Sequence, residues 1–310
     1  MRILIIGNGF VGGSLAKYLE LNDIKADVAL VRPSKLPSKK NPPTIPLSSV
    51  KTLRHYFSKY DVIIDTVGTS ALKSYKNPLN ALSINGLLTA KLVSAAAAAK
   101  VKRFIYLSSV HVYAEPLEGK INELSPTKNL HPYALSHLVG ESAVLSPYFK
   151  GDMEGIVLRL SNLFGVPAFV GSNCWGLLVN DICRQCVTNA SITLNSAGLQ
   201  KRDFLSISEG CRAIKELIYR DIKLKNKDGV IFNVGLGRSK TVLQMAELVR
   251  DECRKILNFS PEILIEDAGK KEISKELFVE TDKLKTFGIS LVDDSVSEID
   301  KLLIFCKANF

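Results

Sequence analysis

The sequence lacks any run of about 18 apolar residues, which is the length that a membrane-spanning helix needs. Its start passes from Met1 through a short apolar stretch to Gly7, without the apolar length or the small-residue exit of a signal peptide. No internal repeat or low-complexity tail is present. With 46% hydrophobic and 23% charged residues, disorder, collagen and coiled coil are excluded as descriptions of the whole chain. We expect a soluble, cytoplasmic protein of one large domain or two modest ones, with no membrane span.

Cysteine is scarce and forms no recognisable framework. Cys183 and Cys186 make a Cys-x-x-Cys, but no second pair and no His-x-x-x-His follows at zinc spacing. Because the surrounding segment has a helical pattern, two buried helix positions one turn apart are the favoured interpretation, with redox or metal chemistry as the alternative. We therefore expect reduced thiols and no metal site. The six cysteines are Cys174, Cys183, Cys186, Cys211, Cys253 and Cys306, which lack the dense spacing of a disulfide scaffold.

Acidic residues are in the minority. The sequence has 31 Asp and Glu against 41 Lys and Arg, which gives a net charge of +10. This balance favours an anionic partner, but charge by itself does not distinguish a nucleotide from a sugar phosphate, a nucleic acid or a lipid headgroup. The basic residues show no aromatic interleaving and no recognised recognition motif, so we expect no nucleic acid partner.

The first half alternates short β-branched runs with longer helical patterns, which is typical of a parallel sheet with crossover helices. Strand patterns cover Arg2 to Ile6, Ala26 to Val31, Asp61 to Val67, Arg103 to Ser108 and Gly155 to Leu160. Helix patterns cover Gly12 to Leu21, Val50 to Ser58, Leu79 to Lys100 and Pro132 to Leu145. Five prolines after the second strand predict a loop or extended arm, at Pro33, Pro37, Pro42, Pro43 and Pro46. The sequence therefore predicts an α/β fold with a doubly wound parallel sheet.

From Val166 onward the alternation weakens. Strand patterns remain near Ser191 to Leu194 and Val230 to Val234, and a helix pattern covers Val242 to Leu257. This change predicts a smaller α/β domain that is partly interleaved with the first. We expect a dinucleotide-binding domain of residues 1–165 plus about 205–227, and a substrate-binding domain of about 166–204 plus 228–310.

A glycine-rich turn follows the first strand pattern. Gly7, Gly9 and Gly12 form Gly-x-Gly-x-x-Gly between that strand and the first helix pattern. In this position Gly7 permits the tight turn, Gly9 lets a pyrophosphate approach the backbone, and Gly12 allows close helix packing. The helix N-terminus faces the phosphate charge. The motif in this context predicts a dinucleotide-binding site.

The side chain after the second strand bears on the choice of dinucleotide. Twenty residues after Gly12, where a carboxylate would accept hydrogen bonds from an NAD ribose, the sequence has Arg32. An arginine suits the 2′-phosphate of NADP, helped by Lys35, Lys39 or Lys40 in the proline-rich loop. We expect NADP, with a solvated basic loop and bound NAD as the alternative.

Further motifs extend the pattern over most of the chain. One strand pattern ends in Ser108 and Ser109, and Tyr133 opens a helix four residues before His137. With these motifs the chain resembles the extended short-chain dehydrogenase/reductases, the family of sugar-nucleotide epimerases, dehydratases and 4-ketoreductases. The other landmarks, in family order, are Asn85, Arg159-Leu-Ser-Asn162-Leu-Phe-Gly165-Val-Pro167, Arg202-Asp203-Phe204, Phe232-Asn233-Val234-Gly235 and Glu280-Thr-Asp-Lys283.

The resemblance implies a Rossmann-type fold and an NAD(P)-dependent ketoreductase or epimerase that acts on a nucleotide sugar in polysaccharide biosynthesis. It implies that Ser109 donates a hydrogen bond to a substrate oxygen and that Tyr133 exchanges a proton with that oxygen during hydride transfer. The implied cofactor contacts are Gly7, Gly9, Phe10, Val11, Gly12, Arg32, Thr66, Gly68, Asn85, Ser108, Tyr133 and His137. The implied substrate contacts are Ser109, His111, Asn162, Arg202 and Lys270.

His137 departs from the family pattern, because the family has a lysine four residues after the tyrosine. A unit charge about 5 Å from the phenol, at an effective dielectric constant of about 20, is worth about 3 kcal/mol, or about two pKa units. A neutral imidazole forfeits most of this effect, so Tyr133 should be a poorer base unless carboxylates raise the pKa of His137 or another lysine compensates. The departure favours ketone reduction over an epimerisation that begins with oxidation. The second hypothesis is a catalytically impaired dinucleotide-binding sensor or scaffold protein.

The residues after Ser109 bear on the reaction. Dehydratases of the family carry an Asp-Glu pair there, whereas this chain has Val110 and His111, so a 4,6-dehydratase is not expected. His111 stands where the similar GDP-fucose synthases place a cysteine acid/base, but the later histidine of those enzymes corresponds to Pro167 or nearby. A packing or substrate-orienting role and a proton-transfer role both stay open for His111.

The resemblance also implies a diphosphate grip and a dimer. Asn162 and Arg202 occupy the positions that hold the nucleotide diphosphate in related enzymes, and a guanidinium binds phosphate oxygens in pairs. A surface salt bridge with Asp203 is the alternative for Arg202. Lys270 and Lys271 lie near the expected second cation. The implied homodimer forms through the helices Leu79 to Lys100 and Pro132 to Leu145.

Overall fold

The chain alternates strands and helices through most of its length. The computed structural model describes residues 1–33, 42–146, 153–222, 230–266 and 275–310. Its strands are β1 (Ile3–Ile6), β2 (Ala26–Ala29), β3 (Val62–Asp65), β4 (Arg103–Ser109), β5 (Gly119–Ile121), β6 (Glu154–Leu160), β7 (Asn162–Phe164), β8 (Ser191–Leu194), β9 (Lys201–Arg202), β10 (Phe204–Ser206), β11 (Val230–Val234), β12 (Lys240–Thr241), β13 (Glu262–Ile265) and β14 (Leu277–Val279). Its α-helices are α1 (Phe10–Glu20), α2 (Val50–Phe57), α3 (Ala71–Lys76), α4 (Pro78–Ala81), α5 (Thr89–Ala98), α6 (Pro132–Leu145), α7 (Leu178–Asn189), α8 (Ile207–Tyr219), α9 (Val242–Leu257), α10 (Asp282–Thr286) and α11 (Ser295–Asn309).

The centre of the fold is a six-stranded sheet. The strands lie in the order β2–β1–β3–β4–β6–β11, and every pairing within the sheet is parallel. All residues of β1, β3 and β4 are buried, because helical crossovers cover both faces of a parallel sheet. The strand order reverses at β1, which has β2 on one side and β3 on the other. Such a reversal opens a ligand cleft at the carboxyl ends of the strands. The predicted α/β fold is confirmed.

Apolar cores fill the space between this sheet and its helices. On one face, Leu15 of α1 and Leu217 of α8 belong to the core that contains Ile5 and Ile105. On the other, α2 and α5 supply buried side chains to the core around Tyr106. The residues of β1 alternate between these two cores, as the period of two in a strand requires.

The predicted helix Leu79 to Lys100 is divided in the structure. A π-helical segment, Leu82–Leu88, separates α4 from α5. The wider turn places Asn85 inward, where its side chain is fully buried and hydrogen-bonded. Such segments are frequent at functional sites, and none of the residues between Leu79 and Lys100 signals one by its propensity.

The strand Val230–Val234 lies in the central sheet. The prediction that this strand belongs to the substrate-binding domain is wrong. β11 pairs in parallel with β6, and Val230 lies opposite Ile156. Its alternate side chains, such as Phe232, pack in the same core as Ile156. The division of the remaining chain into two domains stays a prediction.

The C-terminal part of the chain has an apolar core of its own. Helices α7, α9 and α11 contact one another around it. Cys183 and Cys186 are fully buried in α7, which confirms two buried helix positions one turn apart. The cysteines are free and buried, and burial raises the pKa of Cys174 to about 11. Within the described ranges, no group of His, Cys, Asp and Glu is arranged to hold a metal ion.

One helical stretch of the described chain, Pro78–Ala98, is long and apolar enough to cross a membrane by length and composition alone. A core helix of a soluble protein meets the same criterion, and 44% of the most apolar window is buried inside this fold.

Candidate active site

The glycine turn has the backbone that its spacing predicts. Gly7 has a φ of +107°, which favours glycine. A Cβ at Gly12 would lie 2.3 Å from the Gly7 carbonyl oxygen, so glycine is needed where α1 packs against the turn. At Gly9, by contrast, no atom lies within 4 Å of the Cβ position, so a ligand can approach this backbone. Because α1 begins at Phe10, directly after this opening, the turn fits a pyrophosphate.

One cavity gathers most of the predicted site residues. It has a volume of about 350 Å³ and lies beside the glycine turn and the carboxyl ends of β3, β4 and β6. The predicted residues in its lining are Phe10, Val11, Thr66, Gly68, Ser108, Ser109, His111, Tyr133, His137, Asn162 and Arg202. Gly7, Gly9, Gly12 and Asn85 lie outside this lining, and the first three form the turn itself. The structure therefore brings together residues that are up to about 190 positions apart, and their individual roles stay predictions.

Ser109 and Tyr133 meet in this cavity. Ser109 is the last residue of β4, and Tyr133 lies in the first turn of α6. Both side chains line its wall. Burial raises the pKa of Tyr133, and the nearby Ser109 hydroxyl lowers it in part. Tyr133 is therefore a protonated phenol at neutral pH, which can give a proton more readily than take one.

His137 lies one turn after Tyr133 on α6, with the two ring centroids 4.6 Å apart. The imidazole is 4% exposed, and this burial lowers the pKa of His137 to about 4. At neutral pH the ring is uncharged and does not replace the ammonium group. Among the described residues, the lining of the cavity includes Arg202 but no lysine.

Asn85 connects the π-helical segment to the cavity wall. Its Nδ2 donates to Oγ of Ser136 at 3.0 Å, and its Oδ1 accepts from the backbone N–H of Thr69 at 3.1 Å. Thr69 and its neighbour Gly68 line the cavity, whereas Ser136 belongs to α6. Asn85 therefore holds the loop after β3 in place relative to the helix that carries Tyr133.

A buried ion pair that the sequence analysis did not single out lies behind the site. Glu141 of α6 and Arg159 of β6 are joined at 2.6 Å, with side chains that are 4% and 5% exposed. Ser108 donates its hydroxyl proton to Glu141 at 2.5 Å, so this predicted cofactor residue lines the cavity but directs its hydroxyl to the ion pair. An acidic residue on the same helix face as His137, one turn later, was the sequence signal for this pair.

His111 lies between two acceptors in the wall of the cavity. Its Nδ1 lies 3.3 Å from the Glu115 carboxylate, and its Nε2 lies 3.4 Å from Oδ1 of Asn162. The Asn162 amide is oriented by its Nδ2, which donates to the Asp203 carbonyl. The hydrogen bond from His111 lowers the pKa of Glu115. Glu115 lay outside the motifs of the sequence analysis.

Arg202 lies where two cavities adjoin. It lines the cavity of Tyr133 and also a second, largely polar cavity of about 530 Å³ between α7 and β8. Gln200 accepts two hydrogen bonds from its guanidinium, at 3.0 and 2.8 Å. Asp203 instead accepts from Ser161 and from the backbone of residues 236 and 237, so no Asp203–Arg202 ion pair occurs in the described structure. Lys270 and Lys271 lie outside the described residues.

Arg32 is exposed just beyond the end of β2. It follows the strand next to the glycine turn, where Gly7 donates its N–H to the Ala29 carbonyl at the end of β2. It does not line the cavity of Tyr133. The three lysines that were predicted to help Arg32 bind a 2′-phosphate lie outside the described residues. They are Lys35, Lys39 and Lys40.

Comparison with known proteins gives a family match. A family model described as the NAD dependent epimerase/dehydratase family matches residues 3–235. The chain is similar to dTDP-D-glucose 4,6-dehydratase of Bos taurus, with 31% identity over 172 residues, which span 53% of this chain and 43% of that protein. The chain thus spans less than half the length of this curated relative.

Solved structures share the fold. UDP-glucose 4-epimerase from Thermotoga maritima with UDP-glucose has a TM-score of 0.81 at 18% identity and covers 99% of each chain. RMD from Pseudomonas aeruginosa complexed with NADPH has a TM-score of 0.77 at 22% identity and covers 100% of this chain and 99% of that chain. These likenesses confirm the predicted Rossmann-type fold.

Proposed function

The chain belongs to the NAD-dependent epimerase/dehydratase family, and we propose that it is an NAD(P)-dependent nucleotide-sugar ketoreductase or epimerase. The observation that carries the proposal is the cavity in which Ser109 and Tyr133 meet beside the glycine turn, with Arg202 in the same lining. We propose further that the protein acts in the cytoplasm, in the synthesis of a cell-surface polysaccharide.

The side chains of the cavity suit acid/base chemistry at one substrate oxygen. A bound nicotinamide dinucleotide supplies hydride transfer. Ser109 donates a hydrogen bond that holds the substrate oxygen, and Tyr133 gives that oxygen a proton when a ketone is reduced. Because burial keeps Tyr133 protonated, reduction is the favoured direction. Val110 occupies a position where dehydratases carry an acid, and its side chain cannot transfer a proton, so dehydration is not proposed.

Replacing His137 with lysine is expected to lower the pKa of Tyr133 and to favour oxidation. The ammonium group at about 5 Å would shift that pKa by about two units. The pH midpoint of alcohol oxidation should therefore fall by about two units, as measured from the dependence of kcat on pH. His137→Gln is the matched neutral control, and its midpoint should stay near that of the wild type. A midpoint that does not move in the lysine variant would contradict the proposed coupling.

We propose NADP as the cofactor, because Arg32 follows β2 at the place where NAD-binding chains carry a carboxylate. Arg32→Ala should weaken NADPH binding about tenfold, the effect of losing one hydrogen bond to a charged group, and should leave NADH binding unchanged. Binding calorimetry measures both, with Lys25→Ala as the control that removes an exposed cation elsewhere. Equal losses for the two nucleotides would contradict the role of Arg32. If the wild type binds neither a nicotinamide dinucleotide nor a nucleotide sugar, the proposed function is abandoned.

We propose that the nucleotide diphosphate of the substrate lies against Arg202. The guanidinium faces both cavities, so a sugar can reach Tyr133 while the nucleoside occupies the second cavity. That cavity offers polar partners on α7 and β8, including Gln185 and Thr193. Its mixed donors and acceptors suit a nucleobase and ribose.

The alternative is a catalytically impaired dinucleotide-binding protein. The observation that favours it is the neutral His137, which leaves the phenol without a cationic neighbour. Tight NADPH binding, no turnover with a panel of keto-sugars and no rescue by His137→Lys would support this alternative over the enzyme.

We also propose a homodimer formed through the helices of residues 78–98 and α6. Large apolar side chains on these helices face solvent, as expected of a surface that a second copy covers. These are Leu79, Leu82, Leu87, Leu135 and Val139.

A further inference from the structure

A second tyrosine contacts His137. Tyr106 of β4 is fully buried, and its hydroxyl lies 2.9 Å from Nδ1 of His137 and 3.0 Å from the main-chain carbonyl oxygen of Asn85. The centroids of the two rings are 5.8 Å apart. His137 is thus held between Tyr106, through Nδ1, and the ring of Tyr133.

These contacts determine where the imidazole carries its proton. A tyrosine hydroxyl has one proton, and a carbonyl oxygen only accepts. Because the Tyr106 proton is donated to Asn85, the hydrogen bond to His137 requires a proton on Nδ1. Burial lowers the pKa of His137 to about 4, so the neutral ring has a single proton near pH 7. Nε2 therefore keeps its lone pair.

The lone pair on Nε2 is available to a ligand. His137 lines the cavity of Tyr133, and no described residue forms a hydrogen bond with Nε2. We infer that Tyr106 is a positioning residue, which holds His137 as the Nδ1–H tautomer so that Nε2 accepts a hydrogen bond from a ribose hydroxyl of the bound dinucleotide. The identity of that donor rests on the proposed function. His137 thus offers the dinucleotide a neutral hydrogen-bond acceptor at the position where the family has the cationic donor of a lysine.

The surroundings of Tyr106 keep its pKa high, which supports its role as a donor. Burial, Asp65 of β3, and Glu141 and Tyr133 of α6 all raise the pKa of Tyr106. Tyr106 therefore keeps its proton through the neutral range, as donation to Asn85 requires. Asp65 accepts a hydrogen bond from Thr89, and Glu141 is occupied by its ion pair, so neither carboxylate competes for the proton on Nδ1.

Nitrogen chemical shifts of ¹⁵N-histidine-labelled protein test the inference without any ligand, because they distinguish the two neutral tautomers and the imidazolium. The chain has four histidines, and His137→Gln identifies the signal of His137. At pH 7 we expect a protonated Nδ1 and an unprotonated Nε2, which is the less common tautomer of free histidine. Tyr106→Phe should move the ring toward the Nε2–H tautomer.

Tyr113→Phe is the matched control, because Tyr113 is also a buried tyrosine but its hydroxyl donates to Asn233 at 2.7 Å instead of contacting His137. It should leave the tautomer unchanged. A wild-type ring protonated on Nε2 overturns the inference, even where the Tyr106 variant fails to fold. An unchanged tautomer in a folded Tyr106→Phe variant overturns it as well.

Titration with NADPH separates this inference from the proposed function. NADPH should shift the Nε2 signal of wild-type His137, and Tyr106→Phe should weaken NADPH binding severalfold. If neither NADPH nor NADH binds, the proposed NAD(P)-dependent function fails and the tautomer result stands by itself. If NADPH binds without moving the Nε2 signal, the inference about the ribose fails and the proposed function stands.

Discussion

Replacing Tyr133 with phenylalanine is expected to lower kcat for keto-sugar reduction by about 10²- to 10⁴-fold, the usual contribution of one positioned proton donor. The change removes the phenolic hydroxyl from the cavity that Ser109 also lines and leaves the ring against His137. NADPH binding should persist, because the glycine turn does not depend on this hydroxyl. Steady-state kinetics with calorimetry on the same preparation measures both quantities.

Tyr75→Phe is the matched control for this experiment. Tyr75 is 70% exposed in α3 and does not line the cavity, so its substitution should leave kcat unchanged. Should Tyr133→Phe retain more than about a tenth of the wild-type kcat, the phenol is not the principal acid of the reaction.

Glu141→Gln is expected to reduce the free energy of unfolding by about 3–5 kcal/mol, because it leaves the buried guanidinium of Arg159 without its carboxylate. The amide keeps the size of the side chain, so the effect measures the lost charge and not a cavity. Arg159 lies in β6 and Glu141 in α6, and the pair joins the helix of Tyr133 to the central sheet. Urea unfolding followed by circular dichroism gives the change in stability.

Glu216→Gln provides the comparison for this effect. Glu216 of α8 pairs with Arg220, the residue after the helix, at 3.0 Å, and both side chains are about a third exposed. Such surface pairs contribute about 0–1 kcal/mol, so this variant should unfold close to the wild type. If the two variants lost similar amounts of unfolding free energy, burial would not strengthen the Glu141–Arg159 pair.

The predictions made from sequence succeeded where local chemistry dominates. The bounds of α6 are as predicted because Pro132 suits the first helical position. The glycine turn has its expected geometry because Gly7 and Gly12 permit a backbone that other residues resist. The placing of Ser109 and Tyr133 in one cavity was predictable for the same reason, since each motif combines a residue type with a local element.

The predictions from sequence were wrong or incomplete where the surroundings of a segment come from residues far away in the chain. Val230–Val234 has the pattern of a strand, but its partner was decided by packing against β6. In the π-helical segment of residues 82–88, Asn85 donates a hydrogen bond to Ser136, which lies 51 positions away in the sequence. Periodicity carries no information about either contact.

The sequence by itself determined the fold class, the place of the glycine turn and the position of Tyr133 at the start of a helix, because these follow from short patterns of residue types. The tertiary structure decided the state of the site. Burial makes His137 neutral, and Tyr106 of β4 selects the proton position on its ring. Desolvation and hydrogen bonding depend on which atoms surround a group, and those atoms come from segments far apart in the chain.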